Sequence, residues 1–275
     1  MKKVRTGTVV SYVYLTILAA AAVFPLLWIL ISSFKTSNDM LLHPTRFWPE
    51  TWTLENFKTV LFTLRFTINI RNSIIIALAT TVIATAISSF AAYGVVRFFP
   101  RIGNAMTKVL VTTYMFPSIM LVIPYAVVMA KLGLTNTRTG LVLVYLSFSV
   151  PYAVWMLVGF FKTVPLEVEE AARIDGANKL QVFFRVVLPL VAPGLVATAI
   201  YTFINAWNEF LYALILMSSS DKTTISVAIH TLQGADILNW GALMAACVVV
   251  TVPSILFFCF IQNKIAGGLS EGAVK

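Results

Sequence analysis

Charged side chains are scarce in this sequence, and apolar side chains are abundant. Of its 275 residues, 20 are Lys or Arg and 11 are Asp or Glu, so charged residues make up 11% of the chain and hydrophobic residues 59%. A soluble domain carries about 25% charged residues, because its surface must be wetted by water. The composition therefore excludes disordered, collagen-like and disulfide-scaffold proteins, and it indicates a protein that crosses a membrane several times.

Residues that commonly carry catalysis or bind metals are scarce as well. The two cysteines, Cys247 and Cys259, are separated by about 18 Å along a helix, which is too far for a disulfide. The two histidines, His43 and His230, lack the spacing of metal ligands. A phosphate-binding loop of the form G-x-x-x-x-G-K-S/T is absent, since the sequence contains no Gly-Lys pair. We therefore predict no catalytic residue, no metal site and no ATP-binding loop in this chain.

Six stretches without charged residues are long enough to cross a membrane, for which a helix needs about 20 apolar residues. These stretches are residues 6–34, 72–96, 109–130, 139–161, 186–208 and 237–263, and the fifth continues as an apolar run past Glu209 to Met217. The first stretch follows Lys2, Lys3 and Arg5 as a signal peptide would, but it is longer than the usual apolar core of about 7–15 residues. We therefore predict six spans, of which the first is not cleaved.

Lysine and arginine are distributed unevenly between the two sides of the predicted spans. With the N-terminus placed in the cytoplasm, the inner segments hold twelve of these residues and the outer segments hold eight. Because cytoplasmic loops carry an excess of Lys and Arg, the sequence predicts that both termini are cytoplasmic. The net charge of +9 is then explained by these flanks, and no nucleic-acid partner is expected.

The charged segment, residues 163–189 between the fourth and fifth stretches, predicts a pair of short helices. Thr163 is predicted to cap the first helix and Pro165 to lie in its first turn, while Gly176 is the natural residue for its end. A second helix is predicted from about Asn178 to Val187. Each helix has a polar and an apolar face, so the pair either docks into a groove of another protein or is an ordinary capped loop.

The residues of this segment resemble a known family signature. Glu170-Ala-Ala-Arg-Ile-Asp-Gly-Ala, followed by Leu188-Pro189, is similar to the EAA motif of the membrane subunits of ABC importers. Features elsewhere resemble the carbohydrate branch, which is related to the maltose-transporter permeases, and most closely its smaller permease. These features are Ser33-Phe34-Lys35, Glu55-Asn56-Phe57, Asn72-Ser73, Gly133 to Thr137, Gly140-Leu141, Ala206 to Phe210 and Gly267-Gly268-Leu269.

The resemblance implies that the EAA helix pair couples this chain to an ATPase subunit. Glu170 and Asp175 would make polar contacts at that joint, Ala171 and Ala172 would allow close approach, and Gly176 would permit the tight turn. The implied partners are a second, homologous permease, two ATPase subunits, an extracytoplasmic solute-binding protein and the lipid bilayer. This chain would hold no cofactor, because ATP and Mg would bind to the ATPase subunits.

Polar residues at the end of the fifth stretch are candidates for the transport path. Asn205, Asn208 and Glu209 are spaced i, i+3 and i+4, so they share one face of a helix. Such a face lines a wet path or gate, or it pairs helices or subunits; proton coupling is a further alternative for Glu209. Tyr152 in the fourth stretch is another candidate, because its ring suits the apolar face of a sugar, although tyrosines also mark membrane interfaces.

The sequence as a whole predicts an all-α membrane protein with six transmembrane helices and a coupling helix pair between spans four and five. The predicted regions are residues 1–70, an N-terminal span with an external loop; 71–265, the permease core; and 266–275, a cytoplasmic tail. The predicted function is that of a non-enzymatic permease subunit of an ABC importer for a sugar, in the plasma (inner) membrane. The alternatives are an ABC permease for another solute, an ion-coupled secondary transporter, and a membrane enzyme or scaffold.

Overall fold

The computed structural model describes residues 6–233 and 239–272, and within these ranges every regular element is helical. The α-helices α1 to α14, in chain order, are Thr6–Ser32, Ser37–Leu42, Glu55–Lys58, Phe66–Arg97, Pro100–Tyr114, Ser118–Lys131, Arg138–Lys162, Leu166–Ile174, Lys179–Gln181, Leu188–Leu190, Ala192–Asn208, Leu211–Leu216, Ile225–Gln233 and Trp240–Gly272. Two π-helical turns, Thr59–Thr63 and Val182–Val187, follow α3 and α9. The predicted all-α class is confirmed for the described residues.

Part of the sequence-based interpretation falls on the remaining residues. Lys2, Lys3 and Arg5, which contribute to the predicted orientation, lie outside the described residues, as do Asp236 at the border of the sixth stretch and residues 273–275 of the tail. The predicted tail begins at residue 266, but helix α14 continues to Gly272.

Among the described residues, four helices are long and apolar enough to cross a membrane. They are Val9–Ser32, Phe66–Arg97, Arg138–Lys162 and Trp240–Cys259. A fifth span results if Lys179–Leu190 and Ala192–Asn208, which are bent by 76° against each other, cross the membrane as one unit. Helix α6 is apolar but has only 14 residues. The several spans that the sequence predicts are therefore present, whereas the count of six stays a prediction.

The third and fifth predicted stretches are not continuous helices. The third is divided between α5 and α6, because Pro117 has no backbone N–H and disfavours a helical conformation at the residue before it. The fifth bends at Val191 and ends at Asn208, where Glu209 adopts an extended backbone with φ −64° and ψ 130°. The apolar run to Met217, which the sequence joins to this span, instead contains the separate helix α12.

Two compact units are present, one within Met1–Thr67 and Ile229–Pro253 and the other within Ile68–Ala228 and Ser254–Lys275. In the first unit, the buried amide of Asn56 donates hydrogen bonds to the carbonyls of Ser33 and Lys35 at 2.9 and 2.7 Å. The ammonium group of Lys35, which is fully buried, donates to the carbonyl of Arg46. These bonds order the loop after α1, and they join two of the sequence motifs that carry the family resemblance.

The second unit is built around α7. Helices α5 and α11 pack against α7, and α12 packs against α6 and α7. Gly194 lets α11 approach α7 closely, because a Cβ atom there would lie 2.2 Å from the ring of Phe160. Loop 217–224 is fixed to this unit by Asn69, Asn72 and Asn136, whose side-chain amides bond its backbone and Ser219 at 2.7–3.2 Å. The end of α12 and the start of α13 are thereby held in place.

Candidate functional site: a polar cavity and the charged segment

A cavity of about 480 Å³ opens between α5, α6, α7, α11 and α12 of the second unit. It is lined by Thr113, Phe116, Ser118, Leu121, Tyr125, Ser147, Phe148, Pro151, Asn205, Asn208, Glu209 and Tyr212. The predicted residues Asn205, Asn208 and Glu209 therefore come together at one site. Its size lies within the range of about 300–1,000 Å³ that is typical of small-molecule sites.

Glu209 organises the break between α11 and α12. Its carboxylate accepts hydrogen bonds from the backbone N–H groups of Tyr212 and Ala213 at 2.9 and 3.2 Å, and from the hydroxyl of Tyr145 at 2.5 Å. Backbone N–H groups at the start of a helix have no partner within the helix, so a carboxylate there satisfies them and faces the positive end of the helix dipole. Glu209 thus lines the cavity and also holds its wall together.

Aromatic rings form the apolar part of the cavity. The ring of Tyr212 stacks on Phe148 with a centroid distance of 5.7 Å and meets the edge of Tyr125 at the same distance. The Tyr212 hydroxyl donates to the carbonyl of Ser118 at 2.8 Å, which fixes the ring. Tyr152 does not line this cavity; it is half-buried and stacks on Tyr201 at 3.8 Å. Its assignment to the path stays a prediction.

The amides of α11 leave polar atoms available to the cavity. Asn205 is half-buried and donates through Nδ2 to the carbonyl of Tyr201 at 2.8 Å, so that its Oδ1 remains an acceptor. Asn208 is exposed, and among the described residues its side chain has no hydrogen-bond partner. An amide both donates and accepts, and so does a sugar hydroxyl. The cavity therefore offers amides beside aromatic rings, which suits a polyhydroxylated solute.

The charged segment folds as helix α8, a turn at Gly176 and a second helical stretch, in which the short helix α9 continues into the π-helical turn Val182–Val187. Gly176 ends α8 with φ +88°, a conformation that favours glycine, and no atom lies within 4 Å of the position of a Cβ. Asn178 begins the second helix through a capping box, in which its side chain and that of Gln181 each accept from the other's backbone N–H at 2.9 and 2.8 Å. The turn at Gly176 and the start of the second helical stretch after Asn178 lie where the sequence predicts them, whereas the assignment of this segment as a pair of coupling helices stays a prediction.

The predicted start of α8 is wrong by a few residues. Thr163 has helical backbone angles and belongs to the end of α7, where its hydroxyl donates to the carbonyl of Phe160 at 2.8 Å. Pro165 precedes α8 and is not in its first turn, which begins at Leu166. Thr163 continues the helical backbone of α7, and Pro165 occupies the N-cap position of α8, so Thr163 does not cap α8.

Most of the predicted coupling residues lie on the surface. Glu170, Ala171, Asp175 and Gly176 are exposed, whereas Ala172 is half-buried and packs against the apolar cluster beneath. Large apolar side chains of the same segment are exposed as well, with Ile174 at 86% and Leu180 at 65%. A surface of carboxylates, small residues and isolated apolar side chains is suited to contact with another protein.

Glu169 is a buried residue whose importance the sequence does not indicate. Its side chain is completely buried, and its carboxylate accepts from Arg97 Nε at 2.5 Å and from the hydroxyl of Tyr93 at 2.8 Å. The sequence places Glu167, Glu169 and Glu170 together at the start of α8. Which of them points inward depends on Arg97, which precedes Glu169 by 72 residues, and only the fold brings the two together.

Comparison with known proteins identifies the family. Residues 84–270 match the family described as binding-protein-dependent transport system inner membrane component. The chain belongs to this family. It is therefore a permease of the inner membrane with several spans and not an enzyme, and a permease of this kind implies a solute-binding protein and ATPase partners.

The chain is similar to curated sugar permeases over nearly its whole length. The trehalose transport system permease protein SugB of Mycobacterium tuberculosis is 38% identical over 263 residues, which cover 94% of this chain and 95% of that protein. The diacetylchitobiose uptake system permease protein NgcG of Streptomyces coelicolor is 32% identical over 274 residues, which cover 98% and 90%.

The fold is shared with a solved transporter. A chain in the crystal structure of a bacterial ABC transporter involved in the import of the acidic polysaccharide alginate matches with a TM-score of 0.79. The match covers 96% of this chain and 98% of that chain, at 22% sequence identity. This chain therefore shares the fold of a chain of that transporter.

Proposed function

We propose that this chain is the smaller of two permease subunits in an ABC importer for a sugar or a sugar-like solute. The observation that carries the proposal is the cavity between α5, α6, α7, α11 and α12, which combines aromatic rings with asparagine amides. Sugars present apolar C–H faces to rings and hydroxyl groups to amides, so such a cavity suits them. Family membership and the sugar permeases among the relatives support the same solute class.

In this proposal the cavity is part of the translocation path. Asn205 and Asn208 contact the solute, and Glu209 holds the break between α11 and α12 that shapes the wall. Tyr152 belongs to a second position along α7, where its stacking on Tyr201 leaves it half-buried. Glu209 makes no ion pair with any described residue, and ATP hydrolysis rather than a proton supplies the energy.

The charged segment couples the path to ATP hydrolysis. Glu170, Ala171, Ala172, Asp175 and Gly176 contact an ATPase subunit, and the exposed side chains of Ile174 and Leu180 enter its groove. ATP and Mg bind to a pair of such ATPase subunits and not to this chain. Closure of the ATPase pair moves α8, and the movement opens the path to one side of the membrane at a time.

The proposed topology has six spans with both termini in the cytoplasm. The α5–α6 pair forms the third span despite the break at Pro117, and residues 186–208, which include α11, form the fifth. Residues 71–265 form the permease core, residues 1–70 provide the first span and an external loop, and residues 266–275 form the tail. A second, homologous permease completes the path, and an extracytoplasmic binding protein delivers the solute.

Co-purification from the native host tests this assembly. The tagged chain, extracted in mild detergent, is expected to bring with it a second permease and an ATPase, and the binding protein encoded beside them is then screened with trehalose, maltose and diacetylchitobiose. A stable lone chain that moves one of these sugars in vesicles without ATP would overturn the proposal in favour of a secondary transporter. A binding protein that retains only a non-carbohydrate solute would favour the alternative ABC permease.

A further inference from the structure

A buried charge cluster joins the charged segment to a membrane-spanning helix. Tyr93 and Arg97 lie one turn apart near the end of α4, and both bond the carboxylate of Glu169 in α8 at 2.8 and 2.5 Å. Arg97 also donates through Nη2 to the carbonyl of Val164 at 2.7 Å, so it holds the connection before α8 as well as α8 itself. We name Tyr93, Arg97 and Glu169 the latch.

The latch is enclosed by apolar side chains. The ring of Tyr93 lies 5.0 Å from that of Phe183 and 5.9 Å from that of Phe161, and a larger apolar cluster surrounds these rings. The side chain of Glu169 has no exposure and that of Arg97 has 12%. In such surroundings a carboxylate without its cation is strongly unfavourable. The ion pair therefore holds α8 against the end of α4.

The adjacent acids Glu169 and Glu170 of α8 lie in different surroundings. Glu169 points to the latch and is completely buried, whereas Glu170 is exposed on the surface that carries the proposed ATPase contacts. Successive residues of an α-helix are separated by about 100° around the axis, so both arrangements are compatible with one rigid helix. A force applied at Glu170 therefore reaches Glu169 without any change within α8.

We propose that the latch transmits the movement of α8 to α4, so that the two helices move as one body when the ATPase subunits close. Tyr93, Arg97 and Glu169 are then positioning residues for transport: they touch neither solute nor ATP, and they make ATP hydrolysis productive. This inference rests on the proposed coupling role of the charged segment. It adds the route by which the movement enters the membrane-spanning helices.

The test compares transport with ATP consumption in the assembled importer. The complex is reconstituted in liposomes with its binding protein, and uptake of trehalose, maltose and diacetylchitobiose, offered together, is measured alongside ATP hydrolysis. For Glu169→Gln we expect the amount of solute moved per ATP to fall by about two- to thirty-fold, the range in which residues along a coupling route act. Glu167→Gln removes an exposed acid from the same helix turn and is expected to leave this ratio unchanged.

The amount of solute moved per ATP distinguishes a latch that transmits the movement of α8 from one that only stabilises the fold. If the latch only stabilises the fold, Glu169→Gln lowers the yield of complex, the uptake and the ATP hydrolysis together, and the solute moved per ATP stays at the wild-type value. That result would overturn the inference. Where Glu169→Gln fails to assemble, Tyr93→Phe decides in its place, because it keeps the buried ring and removes only the hydroxyl that bonds Glu169; an unchanged ratio in Tyr93→Phe counts against the latch.

The same experiment distinguishes a failure of the proposed function from a failure of the latch alone. A wild-type complex that shows no ATP-dependent uptake of any of the three sugars contradicts the proposed function, and the inference that rests on it falls too. A wild-type complex that couples uptake to ATP, together with variants that couple equally well, contradicts the latch alone.

Discussion

The carboxylates of Glu169 and Glu209 are both at least partly buried, and they obtain their hydrogen-bond partners in different ways. Glu169 is completely buried and is neutralised by Arg97, a residue of another long helix. Glu209 is half-buried beside a cavity, and its partners are two backbone N–H groups and the hydroxyl of Tyr145. Among the described residues it makes no ion pair, so the helix dipole and hydrogen bonds stabilise its charge.

Under the proposed function, this difference assigns the two regions different tasks. An ion pair in an apolar cluster joins two helices that must stay together, because separating the charges there is costly. A carboxylate at a helix start beside a cavity satisfies the backbone where one helix ends and the next begins, and it stays partly exposed. The first arrangement suits transmission of force, and the second suits the wall of a path.

The largest expected effect comes from removing the cation of the latch. Arg97→Ala leaves Glu169 buried without a partner, and breaking a buried pair in this way costs about 3–5 kcal/mol of folding free energy. We expect little folded subunit in membranes, measured as the amount of co-purified complex. Arg101→Ala removes an exposed cation nearby in α5 and is the matched control, which we expect to purify in normal amounts. Equal yields of the two variants would mean that the latch is weak.

Removal of the second carboxylate is expected to cost less. Glu209→Ala loses the cap of α12 and the partner of Tyr145, which together cost about 2–3 kcal/mol. Glu209→Gln keeps one acceptor oxygen and is expected to lie between Glu209→Ala and the wild type in the unfolding temperature of the detergent-extracted complex. If Glu209→Ala unfolds at the wild-type temperature, the carboxylate does not organise the break between α11 and α12.

A smaller effect on stability is expected at the turn of the charged segment. Gly176→Val forces a side chain into φ +88°, which costs about 1–2 kcal/mol, although no neighbouring atom obstructs it. We expect the complex to assemble and uptake to fall, because the turn that presents Glu170 is distorted. Gly159→Ala in α7, where a Cβ atom also meets no neighbour within 4 Å, serves as the control. Normal uptake by Gly176→Val would contradict the coupling role.

The smallest effect on stability is expected in the cavity itself. Asn208→Ala removes an exposed amide, so the unfolding temperature should not change, whereas KM for uptake should rise by about two- to ten-fold through the loss of a hydrogen bond to the solute. Asn38→Ala, an exposed asparagine of α2, is the matched control and should leave KM unaltered. An unchanged KM in Asn208→Ala would exclude this amide from the solute path.

Local features of the site follow from the sequence. The end of α8 at Gly176 and the start of α9 after Asn178 depend on residues within a few positions of each other, and both predictions are confirmed. Asn205, Asn208 and Glu209 line one cavity, but Glu209 lies beyond the end of α11, so the predicted helix face shared by all three is wrong for Glu209. The role of these residues in a transport path stays a prediction. Family membership, predicted from the EAA motif, is confirmed as well.

Features that depend on distant residues do not follow from the sequence. Glu209 ends α11 because its carboxylate bonds the next helix and Tyr145, which lies 64 residues earlier, whereas hydropathy alone joins α11 and α12. Glu169 and Glu170 look equivalent in sequence, and only the approach of α4 decides which of them is buried. Thr163 belongs to the end of α7, where its hydroxyl donates to the carbonyl of Phe160, and the sequence alone does not show that α7 extends this far.

ATP-dependent uptake by the purified assembly tests the central claim most directly. This chain, its partner permease, the ATPase and the binding protein are reconstituted in liposomes, and labelled trehalose, maltose and diacetylchitobiose are supplied on the side of the binding protein. We predict accumulation of at least one sugar that requires both ATP and the binding protein and that is lost in Gly176→Val. Accumulation without ATP, or ATP hydrolysis with no sugar moved by the wild-type complex, would contradict the account.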